Sequence, residues 1–119
     1  MKFSELQGII IGYEKKLESL ETDEKKEITH NEADIIQSQL EGSRRQALSE
    51  IEDLLYYETQ KIDSVKEKDA IRKIYNNASM IIDKSHADTE ARDRLKEYSG
   101  GGGYDKICRE YEEALKSED

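Results

Sequence analysis

The chain has 119 residues, 34% hydrophobic and 39% charged, with no proline and one cysteine. Its formal net charge of −9 argues against direct binding to nucleic acid, whose phosphates call for cations, and against anionic membrane surfaces. No run approaches the ~20 apolar residues of a membrane span, and one domain with a single core is expected at this length.

With so few apolar residues, burial must run in narrow stripes. Lys, Glu, Leu, Ile, Gln and Arg dominate the composition, which suits long helices joined by short turns. The expected fold is all-α: an antiparallel bundle of three to four helices over residues 1–98, then a flexible Ser-Gly linker at 99–103. An additional amphipathic helix at 104–119 follows, docked on the bundle. The first residues carry no apolar run of the signal-peptide kind. A lone cysteine also fits a reducing compartment, so a cytoplasmic location is expected.

Helix one shows the clearest periodicity. Phe3, Leu6, Ile10, Tyr13, Leu17 and Leu20 recur at alternating spacings of three and four, the seam of a helix packed nearly parallel to its neighbours. The pattern fails at Glu24 and Glu27, which predicts an end near Glu21 or Thr22 and a turn or frayed extension over Thr22 to Ile28. Within this helix, Gly8 and Gly12 bracket three isoleucines, and Gly8, Ile11 and Gly12 point away from the seam. Two mid-helix glycines together cost ~2 kcal/mol relative to alanine, so a compensating close contact is expected. It is either a second packed side within the bundle or a groove that receives a partner helix or a second copy of the chain.

Helix two opens with the capping box Thr29-His30-Asn31-Glu32 and carries Ala33, Ile36, Leu40, Ala47, Ile51, Leu54 and Ile62 along one line. Gly42-Ser43 predicts a bend or close contact, not a break. A second capping box, Ser64-Val65-Lys66-Glu67, starts helix three, whose stripe is Ile71, Ile74, Ala78, Ile81 and Ser85. One continuous rod through Gln60 to Asp63 is the alternative to two helices. Helix four, roughly Asp88 to Tyr98, is short and polar, with Ala91, Leu95 and Tyr98 as its apolar edge.

Past Ser99-Gly100-Gly101-Gly102-Gly103, the residues Tyr104, Ile107, Cys108, Tyr111 and Leu115 repeat at helical spacing. They form a face suited to a helix-in-groove contact. A helix this short is marginal alone in water, so it needs a surface, expected on helices one, three or four. A five-residue flexible connector reaches only ~12–13 Å. The run reads equally as a native hinge and as a laboratory linker joining a partner's peptide to its receptor, and the sequence leaves both open.

Chemistry is sparsely represented. Glu27-x-x-His30 and Asp83-x-x-His86 echo the Glu-x-x-His pairs of di-iron bundles. Both lie at helix ends among polar residues, so no metal site is expected. Cys108 has no base nearby and reads as a small apolar residue. No spacing suggests a catalytic triad, and the glycine run lacks the strand and Lys-Ser/Thr of a phosphate-binding loop. No enzyme activity and no cofactor are expected. The expected function is a non-catalytic protein-interaction module: an adaptor, assembly factor or chaperone-like bundle that holds an amphipathic helix in an apolar groove. Partner-binding candidates are Gly8, Ile11, Gly12, Tyr104, Ile107, Cys108, Tyr111 and Leu115. The alternative is an acidic inhibitor that mimics nucleic acid toward a nuclease or another DNA-binding protein. Acid-base pairs such as Glu41 with Arg45 and Glu90 with Arg94 weaken that alternative, because they break up any continuous acidic face.

Overall fold

The computed structural model describes residues 3–24 and 29–116, with the backbone alone for 21–24. Among the described residues there are five helices and no strand: α1 Ser4–Glu24, α2 His30–Gln60, α3 Val65–Lys84, α4 Thr89–Ser99 and α5 Gly103–Lys116. They pack as an elongated bundle of 54 × 25 × 22 Å. The long axis follows from α2, whose 31 residues at ~1.5 Å rise each span ~46 Å. No described helix is long and apolar enough to cross a membrane.

The caps form where polar side chains can take the orphan amides of a first turn. Thr29 Oγ1 accepts from Glu32 N–H at 3.2 Å, and Ser64 Oγ accepts from Glu67 N–H at 3.3 Å. Asp88 Oδ1 does the same for Glu90 N–H at 3.0 Å. The α2–α3 corner is a true break. Lys61 and Ile62 N–H close on the carbonyls of Glu58 and Thr59, and Ile62 folds inward to 9% exposure. Gly42 and Ser43 continue α2 without interrupting it.

One core runs through the bundle. All six seam residues, Phe3 just before α1 and five within it, are buried, and they meet Ile36, Leu40, Ala47 and Ile51 of α2 and Ile71, Ile74, Tyr75, Ala78, Ile81 and Ile82 of α3. Leu95 and Tyr98 of α4 and Ile107 of α5 close the far side. A buried ion pair also joins α1 to α4, Glu14 Oε1 to Arg92 Nη2 at 3.6 Å.

Two boundaries differ from the sequence expectation. The α1 backbone stays helical to Glu24, because hydrophobic spacing reports burial and a backbone hydrogen-bond ladder can run on past the last apolar residue; the rest of the expected turn, 25–28, lies outside the described residues. The Ser-Gly run is also shorter as a connection than 99–103 implies. Ser99 ends α4 and Gly103 begins α5. The intervening turn is hydrogen-bonded, with Gly100 N–H to the Lys96 carbonyl at 3.0 Å and Gly103 N–H to the Gly100 carbonyl at 3.0 Å.

Candidate partner-binding surfaces

The candidate residues fall into two places. Gly8 and Gly12 line an open groove between α1 and α2, together with Ile9, Tyr13, Ser43 and Ala47. Glu5, Lys16, Gln46 and Glu50 stand around it. A spacing of four places both glycines on one face of α1. Beyond the helix's own backbone, nothing lies within 4 Å of where a Cβ would sit on either one. The smallness of these glycines therefore serves no close packing among the described residues.

Ile11 is half-buried and does not line that groove. Its helical neighbours Gln7 and Glu14, four before and three after, both reach α4. Gln7 Nε2 donates to the Tyr98 carbonyl at 3.3 Å, and Glu14 pairs with Arg92. Ile11 thus belongs to the α4-facing side of α1.

The remaining candidates lie on α5 and pack against the rest of the chain. Asp105 in the first turn and Lys116 in the last suit the helix dipole, and the apolar face turns inward. Ile107, 2% exposed, shares a tight apolar cleft with Leu6, Ile10, Ile74 and Ala78. Tyr104, Cys108 and Tyr111 are half-buried against the same core. The Tyr111 ring tilts against Phe3 with centroids 5.1 Å apart. Leu115 is half-buried near the end of the helix.

Nothing in the apolar spacing marks Tyr98 as more than a core-edge residue, yet its hydroxyl ties three helices together. It donates to the Glu110 carboxylate, 2.6 and 2.7 Å from the two oxygens. It also accepts from Asn77 Nδ2 at 3.3 Å. Burial, and then the Glu110 carboxylate, push the Tyr98 phenol well above its ordinary range, so it stays a neutral donor. Glu110, a carboxylate between Ile107 and Tyr111 beside an apolar face, hints at a buried polar contact but does not name its partner. Lys106 pairs with Glu97 across the α4–α5 junction and lies over the Tyr98 ring, 5.1 Å from its centroid.

Among the described residues, no three His, Cys, Asp or Glu gather to hold a metal ion. Glu27 of the first acid-histidine pair lies outside the described residues. No known protein family, curated protein or solved structure matches the chain.

Proposed function

We propose that this chain is a non-catalytic protein-interaction module that receives an amphipathic helix of a partner in the α1–α2 groove. The observation that carries the reading is the pair Gly8 and Gly12, which face open space. Each glycine costs ~1 kcal/mol against alanine in a helix, and no packing among the described residues returns that stability. A partner helix would return it by bringing its backbone close to α1, with Ile9 and Ala47 as the apolar floor and Glu5 and Glu50 for basic residues on its flank. The groove first expected beside helices one, three or four is filled by α5, which models how this bundle holds an amphipathic helix.

The test is a photo-reactive amino acid at Gln46, on the groove, expressed in cells. Cross-links to a defined partner, lost when Gly12→Leu fills the groove and retained when Arg72 on the outer face of α3 is replaced by alanine, support the reading. Cross-links that persist in Gly12→Leu, or none above those from a reporter at Arg72, overturn it.

A further inference from the structure

The α1–α2 groove is electrically polar along its length. On its α1 side Glu5 stands at one end and Lys16 at the other, ~16.5 Å apart along the helix. The helical period sets both on the same line of α1 as Gly12, with Ile9 beside it. Both charged side chains are exposed, and neither is drawn into an ion pair among the described residues. On the other side of the groove, α2 adds a second carboxylate. Because α1 ends at Glu24 and α2 begins at His30, the two helices run antiparallel, and Glu50 shares the Glu5 end. It accepts from the neutral Gln46 amide at 3.2 Å, which leaves its charge unneutralised.

A face of this kind is complementary to itself when reversed. A twofold axis passing between Ile10 and Ile11 carries Lys16 of one copy to Glu5 and Glu50 of the other, and repeats the contact symmetrically. The same axis lays Ile9 over Gly12, where nothing lies within 4 Å of the missing Cβ and the half-buried isoleucine finds a hollow. Charge and shape thus agree on one register. A parallel approach would set Glu5 against Glu5 and Lys16 against Lys16, and like charges oppose it.

We infer that the occupant of the α1–α2 groove is α1 of a second copy of this chain, seated antiparallel about a twofold axis. The inference rests on the reading of that groove as a docking site and names its partner. Exposed ion pairs are individually weak, so the dimer forms with a Kd of about 10–100 µM and the dilute chain is a monomer.

Sedimentation velocity of the full chain from about 1 µM to about 0.5 mM is the test. The expected record is a monomer at the dilute end and a dimer at the concentrated end. Glu5→Lys and Lys16→Glu each turn both symmetric contacts repulsive and should weaken the dimer about tenfold or more, with the helical circular dichroism retained. An equimolar mixture of the two variants, and the chain carrying both changes, should each recover dimerisation, because every acid then meets a base again. A chain monomeric throughout the range overturns the inference. So does a dimer indifferent to both charge reversals, or a mixture that stays monomeric. The photo-reactive residue at Gln46 keeps the two failures apart: a cross-link to a different protein overturns the second copy alone, whereas no cross-link overturns the docking reading with it.

Discussion

Gly101 and Gly103 are indistinguishable in a run of four glycines, yet a methyl group meets opposite surroundings at the two positions. At Gly103 a Cβ would lie 1.8 Å from the Tyr98 carbonyl oxygen and 2.5 Å from its carbon, both backbone atoms that cannot swing aside. At Gly101 there is nothing within 4 Å, and no described glycine has a positive φ. Gly103→Ala should therefore destabilise the chain by about 1–3 kcal/mol, the usual range for forced overpacking. Gly101→Ala should be neutral, or stabilising by about 0.4–1 kcal/mol through a less disordered unfolded state. Urea unfolding of the two variants checks this, and equal stabilities would show that α5 does not start against Tyr98. Only one of these two glycines is demanded by close approach. The sequence could not say which, because composition reports what a run of residues permits and never what it touches.

Among the elements, α1 carries the sharpest local conflict. Its seam was legible because alternate spacings of three and four bury Phe3 through Leu20 whatever the neighbours are. The Thr29, Ser64 and Asp88 caps were legible because they are local side chain to backbone bonds. What the spacing could not assign was the opposite face, since a groove and a second packed side ask for the same small residues. The structure separates them: Gly8 and Gly12 face open space, while Ile11 turns with Gln7 and Glu14 toward α4. Gly8→Ala and Gly12→Ala should then each stabilise the isolated chain by about 1 kcal/mol, the difference in helix propensity with no clash to offset it. A rise in the denaturant midpoint with an unchanged slope is the expected record. A fall would place both glycines in a close contact within the chain. Polar ties across elements, such as Tyr98 to Glu110 and Arg92 to Glu14, were not legible, because pairing between distant residues leaves no periodic trace.

For the molecule as a whole, the question is whether α5 is a fifth member of the bundle or a loosely held appendage. Ile107 is buried against Leu6, Ile10 and Ile74, and Tyr98 ties Glu110 to Asn77. Removing α5 should therefore expose Phe3, Leu6, Ile10 and Ile74 together and leave the Tyr98 hydroxyl without its main acceptor. A contiguous apolar face of that kind drives association. A chain ending at Gly100 should self-associate in sedimentation velocity and lose several kcal/mol of stability. Ile107→Ala in the full chain isolates the core contribution and should cost about 2–5 kcal/mol, the range for emptying a buried aliphatic site. The two variants separate the possibilities. If truncation leaves a monomer of unchanged stability and Ile107→Ala is silent, α5 is only tethered. If Ile107→Ala is costly and adding the 103–116 segment as a free peptide returns the truncated chain to a monomer, the bundle holds α5 as it would hold any amphipathic helix of that pattern. That result would make α5 the internal measure of how strongly this architecture can grip a partner.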